Sequence, residues 1–338
     1  MTWLAWRQFR TQACVAAGVV AVAAIAYGFT GIGLHRLAED SGYPGCIPND
    51  LCRGLIGAVK ASTVYTLLYY AGLLTLYVLP VVIGLFWGAP LVARDLESGN
   101  HRLLWTQSIS RTRWLAVKVV VVGASALVTT AVISLAVTWW SGPLDAVGGL
   151  THDGFRLSPL QFAARGVVPI GYTLFAFALG VTVGLLARRT LPAMAITFAI
   201  LVAVQVAFPL ILRGHLLPPV TTTQAISSDG RTALVSIELV GPDELLVFAH
   251  EPPIGAWTIS AYNIDSSGAL TVVRPPEGCV RGTPDECTAS IASLHIGQSL
   301  TYHPPERFWP LQVYEAALLL LAGVALIGVS LWRVRVVH

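Results

Sequence analysis

Charge is what this chain has least of. Only 12% of its 338 residues are Asp, Glu, Lys or Arg, while 55% are apolar. A soluble domain carries about 25% charged residues. The deficit excludes a water-soluble globule of this size, and a surface facing lipid accounts for it. Lysine is scarcer still. It occurs only as Lys60 and Lys118, each preceded by Val. A loop that cradles nucleotide phosphates needs Gly-Lys-Ser/Thr, so no such loop is present. The eight histidines (His35, His101, His152, His215, His250, His295, His303 and His338) form no His-x-x-x-His or His-Glu-x-x-His pair, which speaks against a metal site. No Gly-x-Ser-x-Gly elbow occurs. No basic stripe with interleaved aromatics offers itself to nucleic acid.

What is there is long uncharged sequence. Residues 11–34, 61–93, 119–144, 166–187, 190–212 and 316–332 contain no Asp, Glu, Lys or Arg. A helix needs roughly 20 apolar residues to cross about 30 Å of hydrocarbon. Five runs reach that length. The sixth reaches it if its helix starts near Leu311 and Glu315 sits at the headgroups. Backbone exposed to lipid must satisfy its own hydrogen bonds, so the runs are expected as helices, near 13–34, 64–87, 114–140, 164–187, 191–212 and 311–332. Arg7 and Arg10 before the first run resemble the start of a signal peptide. The run is long and lacks a clean small-x-small site, so an uncleaved span is expected.

Arginine and cysteine orient these spans. With the N-terminus inside, the cytoplasmic segments are 1–12, 88–118, 188–190 and 333–338. They hold eleven of the 21 Lys+Arg residues and two of the 18 Asp+Glu, the positive-inside pattern. Cys46 and Cys52 then fall in the first outer loop, and Cys279 and Cys287 in the last. Two local pairs on one face fit disulfides in an oxidising compartment. Cys14, alone in the first span, reads as a small packing residue.

The expected fold is therefore an all-α polytopic membrane protein. It has six transmembrane helices, both termini in the cytoplasm, and a small β-rich extracellular insertion between helices five and six. Residues 1–212 carry the first five spans, with an N-terminal interfacial helix in 1–12, where Trp3 and Trp6 lie beside Arg7 and Arg10. Residues 213–310 form the insertion. Strand-like runs at 232–240, 245–249, 257–263 and 269–273 are separated by turn signals such as Gly241-Pro242 and Ser267-Gly268. A disulfide between Cys279 and Cys287 would brace this small core. Residues 311–338 hold the sixth span and a cytoplasmic tail.

The stretch 88–118, GAPLVARDLESGNHRLLWTQSISRTRWLAVK, is the most informative. Leu91, Asp95 and Leu96 lie on one helical side, with Arg94 and Glu97 beside them. The helix should stop near Ser98-Gly99-Asn100, where Gly takes the left-handed conformation. A second short amphipathic piece, His101–Gln107, leads through Ser108–Arg113 into the third span. A connector could be far shorter, and two short polar helices at the membrane face suit docking to a cytoplasmic partner.

This stretch resembles the membrane subunit of ABC transporters of the ABC-2 type, in the form common in high-GC actinobacteria. The resemblance rests on Asp95, Glu97 and Gly99, then Trp105, Thr106 and Gln107, then Arg111, Arg113, Trp114 and Lys118. The start WLAWRQFR and the late run YHPPERFWPLQVYEA are similar to the family's ends. The middle of the insertion adds nothing to it. The resemblance implies a permease subunit that is not itself an enzyme. Two copies of a cytoplasmic ABC ATPase would bind ATP and Mg in trans, and a second permease chain would complete the pathway as a homo- or heterodimer. The loop 88–113 would couple ATP-driven closure to the spans through Leu91, Arg94, Asp95, Glu97, Gly99 and Arg102. The substrate would be hydrophobic or amphiphilic: a drug, an antibiotic or a lipid. The setting would be the plasma membrane of a Gram-positive actinobacterium.

Other readings of the same residues stand beside these. Arg94 and Glu97 also suit a solvated face. Arg111, Arg113 and Lys118 suit phospholipid anchors better than ATPase contacts. Gly84-x-x-x-Gly88 and Gly180-x-x-x-Gly184 permit close helix approach, within one subunit or across a dimer. Tyr65, Tyr69 and Tyr70 in the second span, and Gln205 in the fifth, would line a substrate route or serve as interhelix bonds, with Gln205 better suited to the second. A non-transporting scaffold or sensor, reading a ligand with its insertion, is the rival to a permease.

Overall fold

The structure is a computed structural model. It describes the chain except residues 1, 46–52, 99–109, 151–154, 226–235, 242–243, 249–251, 278, 280–282 and 337–338. The chain divides into two units, Met1–Leu216 with Trp309–His338, and Leu217–Phe308.

The first unit is helical. Its elements are α1 (Thr2–Asp40), α2 (Arg53–Ala61), α3 (Thr63–Ile83), α4 (Ala89–Glu97), α5 (Arg111–Ala146), α6 (Pro159–Phe162), α7 (Val168–Ala187) and α8 (Thr190–Ala207). After α9 (Pro284–Ala292) of the second unit, α10 (Phe308–Val336) completes it. Among the described residues, six helical stretches are long and apolar enough to cross a membrane: Arg10–Asp40, Thr63–Glu97, Arg111–Ala146, Val168–Ala187, Thr190–His215 and Pro305–Arg335. The six-span, mostly helical expectation holds. Residues 1–12 differ from it, because α1 runs unbroken from Thr2 through the first span.

The second span also continues further than its sequence indicates. A π-turn at Gly84–Gly88 joins α3 to α4. The wider turn accommodates Pro90, whose missing N–H costs little at the first turn of a helix. Here α3 and α4 lie against α7 at van der Waals contact of their backbones. A Cβ added to Gly88 would come 2.6 Å from the Phe177 carbonyl oxygen, and one added to Gly184 would come 2.5 Å from that of Ala89. The two small-residue motifs thus pack within one subunit.

Two apolar clusters fill the bundle. One gathers Leu34, Leu55, Val59, Tyr69, Trp140 and Leu144 at the ends of α1, α2 and α5 and the start of α3. The other gathers Val92, Trp114, Leu115, Phe177, Val181 and Val334 at the opposite end. By contrast α1 and α8 leave large side chains such as Val22, Phe29, Leu191 and Phe198 uncovered.

The second unit holds a three-stranded antiparallel sheet of order β1-β5-β4, from β1 (Val220–Ala225), β4 (Trp257–Ile264) and β5 (Gly297–His303). A separate hairpin pairs β2 (Ser236–Gly241) with β3 (Glu244–Phe248). Residues 269–273 link them, with bridges Ile264 to Leu270 and Leu245 to Val273. The Asn263 side chain donates to the Leu245 carbonyl at 2.6 Å and accepts from the Val247 amide at 3.1 Å. The turn after β4 is closed by Asp265, whose carboxyl is held below the usual range chiefly by the Ser267 hydroxyl and then by the Ala269 amide. A disulfide joins Cys279 and Cys287, and both pack on Leu245, Val247, Val273, Ile291 and Ile296. The expected second disulfide partners, Cys46 and Cys52, lie outside the described residues.

Candidate functional site at the basic end of the helical unit

Alternation of the spans brings Arg10, Arg94, Arg113, Arg188, Arg189, Arg333 and Arg335 to one end of the unit, all exposed. The end of α4 sits among them and is tied to two other helices. Asp95 is buried and pairs with Lys118 of α5, whose ammonium also lies 4.9 Å from the centre of the Trp114 ring. A buried carboxylate needs such a partner. Lys118 is therefore an internal partner of Asp95, not the phospholipid anchor that its sequence position indicates. Glu97 is exposed and caps α8. One of its carboxylate oxygens accepts from the Thr190 amide at 3.0 Å and from the Thr190 hydroxyl at 2.7 Å. The amide is an orphan donor of a helix N-terminus, where a carboxylate is also favoured by the helix dipole. Leu91 and Leu96 are half-buried against the Val92–Trp114 cluster. Arg94 points outward as an exposed cation. Gly99 and Arg102 lie outside the described residues.

Of the six candidate coupling residues, Leu91, Arg94, Asp95 and Glu97 all lie on α4, whose end meets the start of α8 at Thr190. Their roles differ: Asp95 faces inward, Glu97 faces a neighbouring helix, and Arg94 faces out.

At the other end lies a polar framework that the sequence barely announces. Arg165, just before α7, holds Asp145 of α5 in two bonds, Nε to Oδ2 at 2.6 Å and Nη2 to Oδ1 at 3.2 Å. Ser141 adds a third bond to Asp145 at 2.7 Å, and the Tyr69 hydroxyl lies 3.4 Å from it. Arg213 holds Glu315 in the same way, at 2.8 and 3.0 Å, while Tyr172 donates to Glu315 at 3.2 Å. Glu315 is thus fully buried, not at the headgroups as the start of a sixth span would place it. Its nearest charge in the fold, Arg213, is about a hundred residues away in sequence.

The same framework clamps the broken backbone between α5 and α7. Arg213 donates to the Pro159 carbonyl at 2.9 Å, and Gln312 to that of Phe162 at 2.8 Å. Gln312 accepts from the amides of Val167 and Val168 at 3.0 and 3.1 Å. Ser134 donates to the Gly166 carbonyl at 2.7 Å, and Thr138 accepts from its amide at 2.9 Å. Non-helical backbone at membrane depth survives only with such partners.

The candidate pathway residues are engaged within the bundle. Tyr69 is buried beside Asp145, and Tyr65 packs on Trp140 with ring centres 6.3 Å apart. Tyr70 packs edge-on to Tyr69. Gln205 donates to the Tyr77 carbonyl at 3.0 Å, joining α8 to α3. A cavity of about 360 Å³ lies elsewhere, between α1, α3 and α5. It is lined by Gln12, Val15, Val19, Leu79, Phe86 and Trp87 among others, and by none of those four.

Comparison with curated proteins and with solved structures returns no significant match. A family comparison does: residues 17–213, more than half of the chain, match the family described as ABC-2 membrane transporter related. The match spans α1 to the end of the fifth span, and so includes α4, Asp95, Glu97, Asp145, Arg165 and Arg213. With its six candidate membrane-crossing helices, this multi-pass chain belongs to the ABC-2 membrane transporter related family, as a membrane component of an ABC transporter that is not itself catalytic.

Proposed function

We propose that this chain is the permease subunit of an ATP-driven exporter. It couples ATP hydrolysis by a separate cytoplasmic ABC ATPase to efflux of a hydrophobic or amphiphilic substrate. The observation that carries this reading is the end of α4. It presents exposed Arg94, while Asp95 and Glu97 tie the same helix turn to α5 and α8. A push on this turn is passed to three spans at once. The absence of a Gly-Lys-Ser/Thr loop in the sequence agrees with hydrolysis in trans.

In this reading the basic end is cytoplasmic, by the positive-inside rule. The β-rich unit then lies outside, where its disulfide is at home. The exposed apolar faces of α1 and α8 meet lipid and a second permease chain. Two ATPase copies hold ATP and Mg beneath them, at the plasma membrane of a Gram-positive cell. Tyr65, Tyr69, Tyr70 and Gln205 serve the framework, and the substrate route is formed elsewhere.

The test is co-purification with the ATPase and substrate-stimulated hydrolysis in liposomes. Arg94→Glu, at an exposed position, is expected to abolish stimulation while leaving the melting temperature of the permease unchanged. Full stimulation in that variant would overturn the coupling role. Orientation is checked by cysteine labelling of N100C from the inside and D229C from the outside.

A further inference from the structure

The β-rich unit carries an apolar face where its strand pattern calls for a polar one. Strands with one buried face alternate apolar and polar residues. On β3, Leu245 and Val247 point into the disulfide-braced core, leaving Glu244 and Leu246 on the other side. On the linking segment Val273 is buried, while Leu270 and Val272 are 71% and 66% exposed. On β4, Asn263 is buried and its neighbour Tyr262 is 51% exposed. These outward residues converge. Glu244, Leu246, Tyr262, Leu270 and Val272 line one cavity of about 330 Å³, within the size range of small-molecule sites. Apolar side chains gathered around a few polar groups are the usual lining of a small-molecule site.

Charge selects the occupant. Among the described residues, the only charged one lining the cavity is Glu244. The whole unit holds ten Asp+Glu against four Arg and no Lys. An anionic membrane surface or a second copy of this acidic unit would be repelled. A hydrophobic cation is attracted, and the Tyr262 ring face adds to that attraction. We infer that this groove binds a small hydrophobic cation, its apolar groups on Leu246, Leu270 and Val272 and its charge between Glu244 and Tyr262. The site stands on the β-rich unit alone and needs neither ATP nor transport.

The experiment uses the full chain in uncharged detergent, by equilibrium dialysis against protein-free micelles. The probe is tetraphenylphosphonium, with tetraphenylborate as its anion of nearly equal size and shape. Saturable binding of the cation, and none of the anion, is expected. Glu244→Gln and Tyr262→Ala should each weaken it about fivefold, the scale of one exposed ion pair or cation–π contact. Both positions are exposed, and the unfolding profile is expected to match the unaltered chain. Equal binding of cation and anion would overturn the inference, as would saturable cation binding that both variants leave intact. So would variants that change the oligomeric state or liposome binding while cation binding stays as it was. None of these outcomes depends on a partner ATPase, so a failed coupling test and a failed groove test are distinguishable.

Discussion

Glu97 at the end of α4 caps Thr190 at the start of α8, with two hydrogen bonds to one carboxylate oxygen. The two residues are 93 apart in sequence. The contact makes Glu97 a strut between helices, and in the proposed coupling it would act on the ATPase only through them. Glu97→Gln keeps an acceptor oxygen, whereas Glu97→Ala removes it. In the reconstituted pair, Glu97→Gln should retain most substrate-stimulated ATPase activity and Glu97→Ala should lose it several-fold. Basal hydrolysis by the ATPase should be the same in both. Equal loss in the two variants would point to the negative charge, and hence to a direct ATPase contact.

The Arg213–Glu315 pair has both side chains fully buried. Removing one partner leaves an uncompensated charge in a medium that solvates it poorly, at a cost of about 3–5 kcal/mol. Replacing both by apolar residues removes the charges together and is often near neutral. Glu315→Ala should therefore melt far below the unaltered chain in detergent, and Arg213→Met with Glu315→Leu should recover most of the loss. A single variant as stable as the parent would mean that the pair contributes no stability. The double variant also separates stability from transport, because a functional role in gating would leave it stable but inactive.

Much of the helical unit is readable in single runs of sequence. Lipid imposes a length and an absence of charge, and both show without knowledge of the partners. What does not show is pairing across distance. Nothing near Glu315 announces Arg213, so the carboxylate reads as a headgroup residue. Likewise Lys118 reads as a phospholipid anchor until α4 and α5 are set side by side and Asp95 meets it. In the β-rich unit, β5 was hidden by its polar composition, GQSLTYH, although most of it is buried. The helix α9 had a signal within reach: Thr283 and Glu286 form a capping box.

The α3/α4 contact with α7 predicts a steep steric penalty. A methyl group on Gly88 would meet the Phe177 carbonyl, and backbone cannot turn aside as a side chain can. Gly88→Ala should cost about 1–3 kcal/mol, the range for overpacking. Gly18, with nothing within 4 Å of its would-be Cβ, should tolerate Ala and even gain helix propensity. Thermal unfolding of the two variants in one detergent compares them directly. Equal melting temperatures would show that the two spans are further apart than the structure has them.

The Cys279–Cys287 bridge closes a loop with a sequence separation of 8. A loop of that size lowers the entropy of the unfolded chain by an amount worth about 2.5 kcal/mol. The bridge also packs against the small apolar cluster that contains Val247 and Ile291. Cys279→Ser should thus destabilise the β-rich unit and leave the helical unit in place. Limited proteolysis is the suitable readout, since it reports each unit separately. Cleavage should appear within 217–308 on reduction or in the variant, while the spans stay protected in their detergent belt. Protection of 217–308 after full reduction would show that its apolar core is sufficient without the bridge.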